Sequence, residues 1–342
     1  MYYDGSKLLS LLDLNKKKPE IYISTANRSA GKTVFFSKFL VNRFIKKSEK
    51  FCLLYRFNYE LVGCAESFFK EIGHLFFNGY QLKSKSCAKG VYHELFLNDE
   101  SCGYAIAINN ADTIKRISQM FSDVSWILFD EFQSETNHYC NDEVRKFISL
   151  HTSIARGGGK QVRYLPVIMI GNLISMLNPY YTAMHISERL ECDTKYLRGN
   201  GYVLEQGFNE SSANENMNSQ FNIAFNDDNY ICSHSQNVYL NDSTAMIERP
   251  NTHGRYMCTI KYGNYIFGIS EHRAEGIIFC GCNPDYSFPL KICSKTSDMD
   301  VNFVSIKTNQ SMLDCLRWYF NHGCMRFKNL KCKQAILDTL SY

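Results

Sequence analysis

The segment IYISTANRSAGKTVFF, residues 21–36, limits what this chain can fold into more than any other stretch. Ile21 to Thr25 form a short apolar run rich in β-branched and aromatic residues, which reads as a buried strand. A turn of small residues follows, then Gly31-Lys32-Thr33. Beyond it Phe36, Leu40 and Phe44 recur four apart with Val41 and Ile45 beside them, which is helical spacing. A strand, a tight turn and a helix in that order present backbone N–H groups and a helix N-terminus to an anion. The usual phosphate-loop pattern is G-x-x-x-x-G-K-[ST], and here Ala26 stands at the first glycine. Alanine is the smallest departure from glycine, and that position serves backbone geometry more than chemistry. Ala26, Asn27, Arg28, Ser29, Ala30, Gly31, Lys32 and Thr33 are therefore the candidate ATP-binding loop. Lys32 would reach the β- and γ-phosphates, and the Thr33 hydroxyl would bind Mg²⁺.

A second stretch supplies the other half of this chemistry. SWILFDE (Ser125 to Glu131) is an apolar strand ending in two acids. Asp130 would hold Mg²⁺, and Glu131 is placed to polarise an attacking water as general base. A neutralised phosphate and a positioned base are what γ-phosphate hydrolysis requires. An Asp-Glu pair after an apolar strand marks an ATPase with a catalytic glutamate rather than a small GTPase. Arg28, inside the loop, would touch a phosphate or reach toward Asp130 and Glu131. IARGGGKQVR holds Arg156, Lys160 and Arg163 around three glycines. An arginine on such a loop suits an arginine finger supplied across a subunit interface. Asn172, ending the run YLPVIMIGN, would sense the γ-phosphate.

Strand-like runs at residues 50–57, 103–108, 125–131 and 164–172 alternate with helix-like segments such as YELVGCAESFFKEIGHLF and NDEVRKFISLHTSIA. Such alternation implies an α/β domain with a mostly parallel central sheet and ligands at the carboxyl ends of its strands. A chain of 342 residues exceeds what one core usually serves, so two domains are expected. Around Gly199 the texture turns polar and rich in Asn, Ser and Gly, which reads as a linker or excursion. Apolar strands resume in RYMCTIKYGNYIFGIS, where Gly-Asn marks a hairpin, and the tail reads as mostly helical. The expected division is a motor domain at 1–205, a linker or lid at 206–240 and a smaller α+β domain at 241–342.

Composition excludes more than it assigns. Hydrophobic residues at 45% and charged residues at 21% are those of a globular chain. A net charge of +4 permits contact with nucleic acid without requiring it. The 14 cysteines include no C-x-x-C pair, so paired zinc ligands and a thioredoxin-like motif are absent, and buried thiols in a reducing compartment are expected. The opening segment lacks a long apolar region, so no secretory signal is read there. No apolar run is long enough to span a membrane.

Together these motifs resemble viral genome-packaging ATPases, and most closely the phi29-like DNA encapsidation protein family. Large terminases and their relatives tolerate a missing first glycine and carry an arginine in the loop, and NRSAGKT is similar. VNRFIKK, GYAIAI, ILFDEF and MIGNLISMLNPYY follow the family's order, and FNHGCMRFKN is the best match in the C-terminal part. The resemblance implies a P-loop ATPase domain of the ASCE type, with its extra central strand and catalytic glutamate, and a vestigial RNase H-like nuclease domain after it. It gives Lys32 and Thr33 to phosphate and Mg²⁺, Asp130 to Mg²⁺, Glu131 to the base, and Arg156 to the trans-acting finger. The family's basic cluster after the second strand is thinner here, with Arg56 kept and Asn58 where another basic residue is expected. The implied partners are double-stranded DNA, a capsid portal and a packaging RNA or equivalent adaptor. The implied assembly is a homo-oligomeric ring, commonly a pentamer. It would work in the host cytoplasm, transiently on the procapsid, and be absent from the mature virion. The C-terminal strands offer no acid in the quoted run, and Asp298 and Asp300 read as loop residues, so nuclease activity is not expected. Arg317, Arg326, Lys328, Lys331 and Lys333 form a basic tail for DNA, RNA or portal. Two other readings fit the same motifs: a helicase-type ring translocase, and a nucleotide-gated assembly ATPase.

Overall fold

A computed structural model describes residues 3–136, 138–156, 161–176, 178–187, 189–190, 194–207, 213–214, 218–224, 246–294 and 296–340. Two compact units divide the chain, residues 1–241 and 242–342.

The first unit is built on a nine-stranded sheet. Its strands are β1 (Ile21–Ala26), β2 (Lys50–Tyr55), β3 (Leu82–Cys87), β4 (Tyr92–Leu97), β5 (Glu100–Ala107), β6 (Val124–Phe129), β7 (Val167–Asn172), β8 (Tyr196–Arg198) and β9 (Tyr202–Gln206). They lie in the order β3-β4-β5-β2-β6-β7-β1-β9-β8. From β5 across to β9 every neighbouring pair is parallel. The helices are α1 (Ser6–Ser10), α2 (Lys32–Lys47), α3 (Asn58–Phe76), α4 (Ala111–Arg116), α5 (Glu143–Ile154), α6 (Pro179–Ala183) and the short α7 (Gln220–Ile223). Most of the stripe read from the sequence on α2 is its core face: Phe36, Leu40, Val41 and Phe44 are buried with Leu53, Ala105, Leu128 and Ile168 of the strands, while Ile45 is exposed. Strand β7 lies between the loop-bearing β1 and the acid-bearing β6. This is the extra central strand that the ATPase class predicts.

Two hairpins of this unit differ from the sequence reading. The hairpin β3-β4 begins with Leu-Lys-Ser-Lys-Ser-Cys, an edge strand whose polar residues face solvent. That pattern resembles a loop, since an edge needs only one weakly apolar face. The polar stretch around Gly199 opens on the β8-β9 hairpin, and β9 is buried along its whole length and pairs in parallel with β1. The YVLEQ run thus belongs to the sheet rather than to an excursion. Most of the expected linker, including residues 225–240, lies outside the described residues.

The second unit carries a six-stranded sheet, in the order β14-β13-β10-β11-β12-β15. Its strands are β10 (Arg255–Tyr262), β11 (Tyr265–His272), β12 (Ile277–Gly281), β13 (Lys291–Cys293), β14 (Val304–Ser305) and β15 (Met325–Phe327). The Gly-Asn hairpin joins β10 to β11, and Gly263 there has φ +57. Helices α8 (Gln310–Asn321) and α9 (Leu330–Leu340) supply Leu313, Leu316, Cys332, Ala335 and Ile336 to a core shared with Cys258, Ile260, Ile269 and Ile278 of the strands. Strand β15 interrupts the tail that reads as mostly helical.

Candidate active site and its relatives

Ala26 is the last residue of β1 and pairs with Asn172 at the end of β7. It lies in an extended strand, so its Cβ meets no backbone constraint, and the glycine usual at that position is not needed. The unusual conformations come later, at Ser29 (φ 60) and Gly31 (φ 93). Gly31 directly precedes α2, where a left-handed residue turns the chain into the helix. Asn27 and Ala30 are buried, and the Ala30 carbonyl accepts from the Tyr3 N–H at 3.0 Å.

Lys32 is buried, and its Nζ donates to the main-chain oxygens of Ala26 and Asn27, both at 3.1 Å. Burial pulls its pKa down to about 8, against the pull of Asp130. Asp130 follows the end of β6. Burial, and then Glu131 beside it, raise its pKa to about 6, while a hydrogen bond from the Thr33 hydroxyl opposes the rise. Glu131 is exposed and holds φ 52, with its N–H on Asp130 Oδ1 at 2.9 Å. The structure therefore brings Lys32, Thr33, Asp130 and Glu131 together at the carboxyl edge of the sheet, with Asn172 at that same edge.

Among the described residues Arg28 pairs with Glu135, in the loop beyond Glu131. Arg156 is exposed and follows the C-terminal end of α5. Arg163 is held in place: its N–H donates to Ala155 O and its guanidinium donates to the carbonyls of Val124, Phe121 and Ile154. Val124 begins β6, whereas Asp130 follows its end. A six-residue strand spans about 20 Å, so Arg156 stands at the opposite edge of the sheet from Lys32 of the same chain. Arg163 is an anchor, and Lys160 lies outside the described residues.

Arg56 departs most from expectation. It is buried rather than presented outward, with Nε 3.0 Å from Glu143 Oε2. Its Nη2 donates to Phe132 O at 2.8 Å and Glu131 O at 3.3 Å. Glu143, at the start of α5, also accepts from Tyr180 Oη at 2.8 Å and Cys140 N at 2.7 Å. This network fixes the backbone that carries Glu131. Gln133 Oε1 extends the same loop to the Ser175 N–H, at 2.9 Å, just past β7. Glu143, Tyr180, Gln133 and Glu135 have no motif, and only contacts across the sheet reveal them.

In the second unit β11 runs on to Glu271, which ion-pairs with Arg273, so the strand does contain an acid. Asp300 pairs with Lys261 at 2.7 Å, and Asp298 accepts from the Gly263 N–H at 2.8 Å. The basic tail is largely engaged within the unit. Arg317 donates to Leu340 O, Arg326 pairs with Glu248, and Lys331 is buried over the Tyr265 ring. No helix among the described residues is long and apolar enough to cross a membrane.

A mostly parallel sheet with this strand order, a lysine-threonine loop and an acidic pair at one edge defines the class of P-loop ATPases. The chain belongs to the Podovirus DNA encapsidation protein (Gp16) family, whose sequence model matches residues 1–340. It is 22% identical over 306 residues to the DNA packaging protein of Bacillus phage phi29, covering 88% of this chain and 87% of that one. It is 21% identical over 324 residues to the DNA packaging protein of Bacillus phage B103, covering 92% and 93%. A solved structure of the bacteriophage Phi-29 viral genome packaging motor assembly shares its fold, with a TM-score of 0.72 over 99% of this chain and 98% of that chain, at 19% identity.

Proposed function

We propose that residues 26–33, Asp130, Glu131 and Asn172 form the ATPase site of the motor, and that hydrolysis there drives double-stranded DNA into a procapsid. The observation that carries this reading is the contact of Thr33, next to Lys32, with Asp130 beside Glu131, made across β7 between the ends of β1 and β6. Among the described residues, buried Lys32 has only main-chain carbonyls as hydrogen-bond acceptors, and anionic phosphate oxygens are stronger ones. Thr33 and Asp130 offer the hard oxygen donors that suit Mg²⁺ and would hold it. When bound, the ion neutralises charge on the phosphates. Glu131 takes the proton of the attacking water. Asn172, in register with Ala26, reports the γ-phosphate to β7. Arg156, remote from its own site, completes a neighbour's site.

The remaining roles rest on the family. The chain works as a ring, a pentamer in this proposal, on a capsid portal with DNA in its pore and a packaging RNA or equivalent adaptor. It acts in the host cytoplasm and leaves before the virion matures. Residues 1–205 are the motor, 206–240 the linker and 241–342 a vestigial nuclease domain that binds rather than cuts. The pairing of Asp300 with Lys261 supports that last assignment. DNA contacts are to phosphates, because packaging ignores sequence. The test is ATP hydrolysis by the purified chain, with and without double-stranded DNA, beside Glu131→Gln. DNA-stimulated turnover that the substitution abolishes supports the reading, and turnover indifferent to Glu131→Gln overturns the site.

A further inference from the structure

The second unit contains a cavity that the motor reading does not use. Its volume is about 380 Å³, near the lower end of the roughly 300–1,000 Å³ that small-molecule sites occupy. It opens over β10, β11 and β12, on segments remote in sequence from the ATPase motifs. Its walls have three chemistries. Tyr256 and Phe279 supply aromatic surface. Arg249 and Lys328 supply positive charge, and among the described residues neither has a carboxylate partner. The third is a polar relay centred on buried His272, drawn from β11, the turn after it and the loop before β10.

The relay fixes its own protons. Thr252 Oγ1 donates to Glu275 Oε1 at 2.6 Å, which uses its one proton. His272, 5% exposed, has Nδ1 3.3 Å from Thr252 Oγ1, so Nδ1–H is the donor there. In the neutral ring Nε2 is then an acceptor, and Ser270 Oγ, 3.0 Å away, donates to it. The serine lone pairs are left for a donor in the cavity. Gly254 packs against the imidazole so closely that a Cβ there would lie 2.4 Å from Nε2. Hydroxyl and imidazole at the base, aromatic walls and unpaired cations match a sugar hydroxyl, a base and a phosphate.

We infer that this cavity binds one nucleoside monophosphate unit, with the phosphate toward Arg249 and Lys328 and a sugar hydroxyl toward Ser270. Such a unit comes either free or as the phosphorylated end of a strand. The inference stands apart from the ATPase reading, and its test separates the two. Equilibrium dialysis of radiolabelled thymidine 5′-monophosphate is run on the full chain carrying Lys32→Ala, which disables the motor loop. One bound equivalent is expected. Adding Arg249→Ala and Lys328→Ala should weaken binding by at least about tenfold, since two charge-assisted contacts are lost. Both residues are at the surface or half-buried, so the fold survives their loss. Ser270→Ala is expected to weaken binding less while leaving thermal unfolding unchanged. No binding to the Lys32→Ala chain, or binding indifferent to the Arg249 and Lys328 substitutions, overturns the inference. Competition then assigns the source. A 5′-phosphorylated oligodeoxynucleotide that displaces the label, where its 5′-hydroxyl twin does not, identifies a strand end. Failure of both to displace it identifies the free nucleotide.

Discussion

Lys32 Nζ donates to the main-chain oxygen of Ala26 at 3.1 Å, so the lysine of the phosphate loop is satisfied by the residue that replaces the loop's first glycine. The contact uses the backbone of Ala26, which any residue supplies, and the extended strand tolerates its Cβ. Ala26→Gly should therefore leave ATP turnover within about twofold of the parent and lower stability by roughly 0.5–1 kcal/mol through the freer unfolded chain. Gly31→Ala should instead weaken nucleotide binding by at least about tenfold, because holding alanine at φ 93 costs about 1–3 kcal/mol. Nucleotide titration and thermal unfolding of both variants check this. Loss of turnover in Ala26→Gly would show that the alanine side chain itself matters.

The buried pair Arg56–Glu143 makes a different claim. Removing Glu143 leaves a guanidinium uncompensated in the interior, and Glu143→Ala should cost about 3–5 kcal/mol of stability. Arg56→Lys keeps the charge but loses the fork that reaches both Glu143 and the carbonyls of Glu131 and Phe132. Its turnover should fall at least about tenfold while ATP binding persists, because the proposed base Glu131 is displaced rather than the phosphate loop. Single-turnover hydrolysis beside equilibrium binding separates the two. Parallel losses in both would assign Arg56 a purely structural part.

How much of this was legible before the fold follows from the range of each interaction. The phosphate loop, α2 and the acid pair are local: strand, turn and helix are adjacent in sequence, and their periodicity shows it. The extra strand β7 reads as a strand from its apolar run, but its place between β1 and β6 is a property of the sheet. The hairpin β3-β4 was not legible because an edge strand needs few apolar residues, and β9 because Gly199 and Gly201 flank it with turn chemistry. Arg56 shows the limit best. Its sequence position suggests a basic residue for a neighbour, but Glu143, 87 positions away, turns it inward.

Arg156 bears on the assembly. It lies at the far edge of the sheet from its own Lys32, so a role in catalysis requires a second chain. Arg156→Ala and Glu131→Gln, each inactive alone, should regain hydrolysis when mixed, because an intact Glu131 meets an intact Arg156 at some interfaces. Activity should peak at intermediate mixing ratios. A mixture silent at every ratio would remove Arg156 from its trans-acting role.

The two shifted groups at the site set a pH signature in the nucleotide-free protein. Asp130 has a folded pKa of about 6 against 3.8 in the unfolded chain, so the folded state holds that proton more tightly. Its contribution to stability is therefore present at low pH and lost as pH rises through 6. Lys32 has a folded pKa of about 8 against 10.5, so its contribution is penalising below 8 and recovers as pH rises toward 10.5. Between about pH 6 and 8 both groups are charged in a site that desolvates them, and the free site is at its least stable. Asp130→Asn should raise the melting temperature above pH 6 and make no difference below about pH 4. Lys32→Met should raise it below pH 8 and lose that advantage by pH 10.5. Thermal unfolding of parent and variants across this range decides the matter, and a difference that does not vary with pH would show that neither group titrates as its surroundings require.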